Sequence, residues 1–250
     1  MSTPTGVSSY PVTRFCMVAS VSIPLLMAVL GNKYLFLAQF DPFVSQYGQW
    51  YRLALFQFCP LNESDALLLL LIWYNYRHLE RLLGSVKYAH AILLSLIYTT
   101  VVLAGLIVLV PGHWWNRLPS GSLPCCLALF HFYKQYTPTV YTVAIGSGKS
   151  RPRYELTDQV FINTLVLLLL INQGGVGLFG GFIGWLVGIF IDRGLLPGLR
   201  HWRLRPVRYA VERLTMNSAE RLRHRARETA QPQDEPQRSL GRQFVDTFRR

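Results

Sequence analysis

Charged residues are scarce in this sequence. They make up 15% of its 250 residues, whereas 51% are hydrophobic and the mean hydropathy is +0.24. A soluble domain carries about 25% charge, so the shortage excludes an ordinary soluble domain and indicates an integral membrane protein. Lysine is absent from residues 193–250, where 14 arginines face 6 acidic residues. This tail is predicted to lie in the cytosol against anionic lipid rather than to bind nucleic acid.

Metal-binding and disulfide patterns are also absent. The four cysteines have no metal-ligand spacing and no disulfide framework, and the adjacent Cys125 and Cys126 lie in an apolar run as packing residues. We therefore expect no metal and no cofactor. Arg14 precedes the first apolar stretch, but no small-residue cleavage site follows before Gly31. The first segment is accordingly predicted to be a retained span.

Long apolar segments are what the sequence does contain. Six are predicted to cross the membrane, at residues 15–30, 65–76, 88–110, 123–133, 156–171 and 174–191. Several are shorter than the roughly 20 residues of a full span. The second segment either begins earlier, within 56–64, or stays short inside the bundle. The predicted fold class is an all-α, polytopic membrane helical bundle with six transmembrane helices.

Three regions follow from these segments. They are a short cytosolic N-terminus at 1–14, a six-helix membrane domain at 15–200, and a basic cytosolic tail at 201–250 that is partly helical or disordered. In the tail, Val207, Val211 and Leu214 recur at helical spacing between arginines, which is compatible with a basic helix on the membrane surface.

Charge predicts the orientation. Six spans with a cytosolic tail place the N-terminus in the cytosol as well. The cytosolic loops then carry six basic residues: Arg77, Arg81, Lys87, Lys149, Arg151 and Arg153. The opposite loops carry three: Lys33, Arg52 and Arg117. This asymmetry follows the positive-inside rule. The glycosylation sequon at Asn62 would lie on the lumenal side, close to the membrane.

A charged cluster follows the second apolar segment. Arg77, Glu80 and Arg81 share a helix face because they are three and four residues apart. Pairing makes charge tolerable at membrane depth, so Glu80 held by Arg77 or Arg81 is predicted to form a structural latch. Gly84 then permits the turn into the third span. The alternative is an ordinary interfacial helix end.

Glycines repeat along the sixth segment. Gly180, Gly184 and Gly188 recur every four residues, with Gly177 and Gly181 offset. Small residues on one helix face let two backbones approach closely in lipid, so this face is predicted to pack tightly inside the bundle. Packing of this kind is general in membranes and does not establish chemistry.

These motifs, in their order, resemble the rhomboid superfamily. The resemblance covers about residues 10–200 and includes Trp50 and Arg52 in an aromatic-rich loop predicted to be embedded at the membrane. The stretches "YNYRHLERLLGSVKYA", "SGSLPCCLALFHFYKQYTPTVYTVAI" and "LLPGLRHWRLRP" look like the rhomboid-like subunit of the fungal Dsc ubiquitin ligase complex. They also look like the animal UBA-domain-containing rhomboid-like proteins.

Protease chemistry is missing from the matching positions. Active rhomboids carry Gly-x-Ser-Gly at the start of the fourth span and a His in the sixth. This sequence has Ser120-Gly121-Ser122-Leu123, and its sixth segment has no His. His131 lies nine residues beyond Ser122, roughly 13 Å along one helix. The family's second-span His and Asn would fall near Ser64 and Leu68. The resemblance therefore implies a pseudoprotease.

The resemblance further implies a function. The chain would be a catalytically inactive subunit of a ubiquitin ligase complex in the ER or Golgi, acting as a scaffold and client-recognition element in protein quality control. Its partners would be the lipid bilayer, other membrane subunits of the complex and transmembrane client proteins, with no nucleic acid. The family usually ends in a UBA domain, but the Arg-rich residues after Pro206 show no three-helix hydrophobic pattern.

Other functions remain open. A derlin-like retrotranslocation factor would share an inactive rhomboid fold and would associate with a degradation ATPase. A small transporter is a different class, although the spans contain few of the ionisable residues that an ion path needs. An active intramembrane serine protease is a further alternative. "GSGKS" at 146–150 resembles a phosphate loop, but position 143 is Val where that motif requires Gly.

Overall fold

The fold is helical apart from one short β-hairpin. The structure, a computed structural model, describes residues 10–109, 116–139, 142–145, 154–157, 159–196 and 207–216. In chain order the elements are α1 (Pro11–Val29), a 3₁₀ turn (Lys33–Phe36), a π-helical turn (Phe40–Val44), α2 (Arg52–Leu55), α3 (Glu63–Asn75), α4 (Arg77–Leu83), α5 (Ser85–Leu109), α6 (Leu123–Tyr136), β1 (Thr142–Ile145), β2 (Tyr154–Thr157), α7 (Val160–Asn172), α8 (Gly174–Asp192) and α9 (207–216).

Three of the described helices, α1, α5 and α8, are long and apolar enough to cross a membrane. They have 19, 25 and 19 residues. The remaining predicted spans form shorter helices, since α3 and α7 have 13 residues and α6 has 14. At about 1.5 Å per residue these helices are roughly 20 Å long, shorter than a hydrocarbon core of about 30 Å. The chain has the helices of a membrane protein, and the count of six spans stays a prediction.

Several predicted boundaries differ from the structure by up to four residues: α1 and α5 begin earlier, at Pro11 and Ser85, and α6 ends later, at Tyr136. The second segment begins earlier, at Glu63 within the range 56–64, and is still short at 13 residues; the acidic side chains of Glu63 and Asp65 lie in its first turn and suit the helix dipole. The fifth segment was wrong at its start. Positions 156 and 157 belong to β2, and α7 begins only at Val160.

The centre of the bundle is α6, because nine of its fourteen residues are buried. At one end of the bundle, Ser64 at the start of α3 contacts Asn172 at the end of α7. We call it the polar-network end. At the opposite end α1 begins and α8 ends. We call it the basic end, since it carries Arg77, Arg81 and Lys134.

The tail contributes one described helix. α9 covers 207–216, and its Val211 is 4% exposed and belongs to the hydrophobic core, against which Val207 also packs. The apolar stripe of the tail thus faces the protein, while Arg208 and Glu212 form an exposed ion pair. The predictions for "GSGKS" and for the rest of the tail lie outside the described residues.

Candidate functional site

Glu80 anchors the start of α1. The helix begins with Pro11, and its N-cap residue provides no side-chain acceptor for the free N–H groups of the first turn. Glu80, which is 2% exposed, accepts these bonds instead: from the backbone N–H of Val12 at 3.2 Å and of Thr13 at 2.8 Å. The hydroxyls of Thr13 and Ser85 also donate to it, each at 2.7 Å. One carboxylate therefore joins α1, α4 and α5.

The predicted pairing of Glu80 with arginine was wrong. Neither Arg77 nor Arg81 forms an ion pair with Glu80 in the part of the chain that the structure describes. The guanidinium of Arg77 stacks over the Tyr74 ring at 4.2 Å, and Arg81 is exposed. Gly84 lies between α4 and α5 with φ at +81°, a backbone conformation that a side chain disfavours. Glu80 therefore acts as a cap for the start of α1, and its partners, Val12 and Thr13, are distant in sequence.

Arg52 organises the loop between α1 and α3. It is 2% exposed, and its guanidinium donates to the carbonyl oxygens of Tyr34 and Leu37. The same guanidinium lies 4.1 Å from the centre of the Phe43 ring. Both backbone contacts come from Nη1, while Nε donates to the side-chain carbonyl of Gln49 at 2.5 Å, so two nitrogens of the planar guanidinium are engaged. Trp50 is 58% exposed on the outside of this loop, in keeping with a residue at the membrane interface.

The glycine face of α8 packs against α6 and the residues before it. All five predicted packing glycines are buried: Gly177, Gly180, Gly181, Gly184 and Gly188. A Cβ at Gly184 would overlap the carbonyl group of Pro124, and a Cβ at Gly188 would lie 2.5 Å from the carbonyl oxygen of Ala128. These backbone atoms cannot move aside to make room for an added Cβ, as the end of a flexible side chain could. The two helices can therefore approach this closely only because these positions lack side chains.

Ser122, one of the two serines compared with the rhomboid motif, has no histidine partner among the residues that the structure describes. The hydroxyl of Ser122 contacts the Cys126 thiol at 3.7 Å, its one polar side-chain partner within the described residues. His131 lies on the same helix at the basic end, where its Nε2 is 3.5 Å from a carboxylate oxygen of Asp192. That separation suits an ion pair when the imidazole is protonated. The arrangement does not form the Ser–His hydrogen bond that activates a serine.

A buried carboxylate instead forms a hydrogen-bond network at the polar-network end. Asp65 is fully buried and accepts hydrogen bonds from the amides of Asn172 and Gln173 and a longer one, at 3.4 Å, from the amide of Asn62. The Asn172 amide also donates to Ser64 at 2.8 Å, and the Gln173 amide to the Ser120 carbonyl at 2.8 Å. This polar network holds α3 to the α7–α8 junction and to the segment before α6. Its groups serve as hydrogen-bond partners to one another rather than to Ser122.

Sequence reasoning missed this network. Its signal was a carboxylate at the start of one apolar segment and two adjacent amides, Asn172 and Gln173, at the end of another. Successive spans run in opposite directions, which places the start of the second segment and the end of the fifth on the same side of the membrane. Contact between Asp65 and the two amides also requires these helices to be neighbours, which the sequence does not show.

The described residues contain no group of three or more His, Cys, Asp or Glu side chains that could hold a metal. Burial also raises the pKa of the Cys59 thiol, in the loop before α3, to about 11. A thiol with this pKa is mostly protonated at neutral pH, whereas the nucleophilic form is the thiolate.

The chain is similar to a subunit of a known ligase complex. It is 25% identical over 211 residues to the DSC E3 ubiquitin ligase complex subunit 2 of Schizosaccharomyces pombe, an alignment that covers 83% of this chain and 54% of that protein. The chain therefore spans about half the length of the curated relative it matches. No protein-family model matches this chain. The similarity supports a Dsc-like family and, with the apolar helices, a membrane protein of that kind.

Proposed function

We propose that this protein is a catalytically inactive, rhomboid-like membrane subunit of a ubiquitin ligase complex. The observation that carries the proposal is the similarity to the Dsc subunit along 83% of the chain. The proposed role is to scaffold the other membrane subunits and to recognise transmembrane clients in protein quality control. The proposed location is the ER or Golgi membrane, with six spans and with both termini in the cytosol.

The residues at the matching serines support a role without catalysis. Ser122 contacts a thiol, and the carboxylate of Asp65 is engaged by the amides of Asn62, Asn172 and Gln173. His131 lies beside Asp192 at the other end of α6. A serine hydrolase needs its base within about 3 Å of the hydroxyl. The rigid parts of the site serve packing: the Glu80 cap, the Arg52 loop and the glycine face of α8.

The short helices support client recognition. α3 and α7 are each roughly 20 Å long and expose apolar side chains, so the bilayer around them would have to thin. A thinned annulus lowers the cost of accommodating a client segment that is short or polar. The exposed side chains on α7, among them Phe161, Leu167 and Ile171, would meet such segments or lipid.

The proposal predicts co-purification with a ligase. Affinity purification of the tagged chain from gently solubilised membranes, followed by mass spectrometry, should recover a RING-type ligase and its membrane subunits. A tagged membrane protein of similar abundance is the control. Recovery of a degradation ATPase without a RING-type ligase would favour the derlin-like alternative, and recovery of neither would refute the proposed assembly.

The proposal also predicts an inert serine site. A fluorophosphonate probe, which modifies activated serines, should not label the purified chain in lipid nanodiscs, because Ser122 has no base to activate it. An active rhomboid protease labelled in parallel shows that the probe works under these conditions. Labelling that disappears in Ser120→Ala or Ser122→Ala would show that the site is catalytic.

A further inference from the structure

The basic residues that follow α8 are all arginine. Residues 193–250 contain 14 arginines and no lysine, whereas residues 1–192 contain 7 arginines and 4 lysines. Arginine and lysine each carry one positive charge and are attracted about equally to an anionic membrane surface. The charge of this tail therefore does not account for the absence of lysine.

The contacts of the described tail arginines do not require a guanidinium either. Arg193, Arg208 and Arg213 are exposed. Arg208 Nε lies 2.7 Å from a carboxylate oxygen of Glu212, one helical turn away, and the Arg208 side chain is 69% exposed. Arg213 lies over the Tyr209 ring, 4.7 Å from its centre, and donates to its hydroxyl at 2.9 Å. Lysine forms ion pairs and cation–π contacts at the same spacing.

A buried arginine of the same chain shows the difference. Arg52 is 2% exposed, and its guanidinium donates at the same time to two backbone carbonyls and to a side-chain amide. A lysine ammonium cannot reproduce this planar arrangement of donors. Since the described arginines of the tail make no comparable set of contacts, their side-chain geometry leaves the choice of arginine over lysine unexplained.

The two residue types differ in a reaction that matters beside a ubiquitin ligase. The deprotonated ε-amine of lysine attacks the thioester that joins the ubiquitin C-terminus to a cysteine of a conjugating enzyme. A C–N isopeptide bond forms, the C–S bond breaks, and the departing thiolate takes up the proton that the amine releases. Arginine stays protonated and offers no such nucleophile, whereas lysine is the ordinary target of ubiquitination.

The lysines that the chain does contain lie outside the tail. Lys33 is at the polar-network end, 3.6 Å from a carboxylate oxygen of Glu63. Lys134, at the basic end, donates to Gln159 at 2.9 Å. Lys87 is exposed in the first turn of α5, a helix long enough to cross a membrane. Lys149 lies outside the described residues. An exposed helix such as α9 is thus basic without carrying a single acceptor amine.

We infer that the all-arginine composition of the tail keeps this chain from becoming a substrate of the ligase that it helps to assemble. Because this rests on the proposed function, the tail is taken as cytosolic and as part of the complex. A surface held within a complex meets its partner at a high effective concentration. An exposed lysine on α9 would therefore be modified repeatedly by the bound ligase, whereas arginine keeps the same charge without an acceptor.

Arg208→Lys/Arg213→Lys in the whole chain tests the inference, because it keeps both charges and adds two exposed amines to α9. The tagged chain is purified from cells under denaturing conditions and probed for ubiquitin, and its half-life is measured after translation is stopped. The wild type gives the background from its four lysines. We expect the lysine variant to gain ubiquitin conjugates and to lose lifetime, and both effects to disappear in cells that lack the RING-type ligase.

Two variants serve as matched controls. Arg208→Gln/Arg213→Gln removes the same guanidinium groups and adds no amine. Gln46→Lys adds an amine at an exposed position of the polar-network end, which the proposed topology places away from the cytosol. Both should match the wild type in conjugates and lifetime. Conjugates on the glutamine variant, or conjugates on the lysine variant that persist without the ligase, would overturn the inference, because the response would not come from the new amines and the bound ligase.

Recovery of the RING-type ligase with the undenatured chain separates this inference from the proposed function. If the ligase is recovered with Arg208→Lys/Arg213→Lys and no conjugates form, the inference is wrong and the proposed function stands. If the ligase is lost from the lysine variant alone, arginine is needed for binding and the inference is also wrong. If the ligase is not recovered with the wild type, the proposed function fails and the inference fails with it.

Discussion

Replacing Glu80 with Leu is expected to lower the free energy of unfolding by about 4 kcal/mol or more. The substitution leaves the N–H groups of Val12 and Thr13 and two hydroxyls without their acceptor in a buried site. Each buried donor without a partner costs about 1 to 3 kcal/mol. Since a folded protein is stable by only about 5 to 15 kcal/mol, the abundance of the chain and its assembly with partners should fall. The unfolding midpoint in detergent and the steady-state level in membranes measure both effects.

The matched control removes the nearby positive charges. Arg77→Gln/Arg81→Gln should cost less than about 1 kcal/mol, because Arg77 contributes a cation–π contact to Tyr74 and Arg81 is exposed. If the arginine variant were as unstable as Glu80→Leu, the carboxylate would be held by charge pairing and the capping role would be wrong. If Glu80→Leu were as stable as the wild type, Glu80 would have no stabilising role and the latch hypothesis would be refuted.

Gly184→Ala/Gly188→Ala should destabilise the bundle by about 1 to 3 kcal/mol for each substitution. The added methyl groups meet the backbone of Pro124 and Ala128, so α8 has to move away from α6. The displacement would disturb the central helix of the bundle. Thermal unfolding of the purified chain in nanodiscs measures the loss.

Gly175→Ala in the first turn of the same helix is the control. No atom lies within 4 Å of the added methyl group at this position, and no positive φ opposes it. Alanine is also the better helix former, by about 0.5 to 1 kcal/mol. Gly175→Ala should therefore be neutral or stabilising, opposite in sign to the other two. A loss of stability at all three positions would indicate that glycine is needed for a reason other than close packing.

Local patterns predicted the surfaces that depend on one element alone. The glycines of α8 were found from their spacing, because one helix face is defined by sequence distance. Their partners, Pro124 and Ala128, lie on another helix and could not be read from that spacing. The same limit explains Glu80. Neighbours three and four residues apart suggested Arg77 and Arg81, whereas its partner Thr13 lies 67 residues away.

The β-hairpin and the buried Asp65 were not predicted, because both lie in or beside segments that were read as apolar spans. The hairpin was missed because Leu156 was counted in an apolar span, although Tyr154-Glu155-Leu156 alternates as a strand does. Asp65 was recognised as the start of a span but not as a buried group, because two of its three donors come from the distant α7–α8 junction. Burial of a polar residue depends on which helix ends meet, and that is set by the three-dimensional arrangement.

We propose above that the chain works by assembling a ligase rather than by hydrolysis. The most direct measurement is the amount of RING-type ligase recovered per copy of the tagged chain, compared among the wild type, Ser120→Ala/Ser122→Ala and Gly184→Ala/Gly188→Ala. We predict equal recovery for the wild type and the serine variant and a reduced recovery for the glycine variant. Absence of the ligase from the wild-type sample, or its loss from the serine variant alone, would contradict the account.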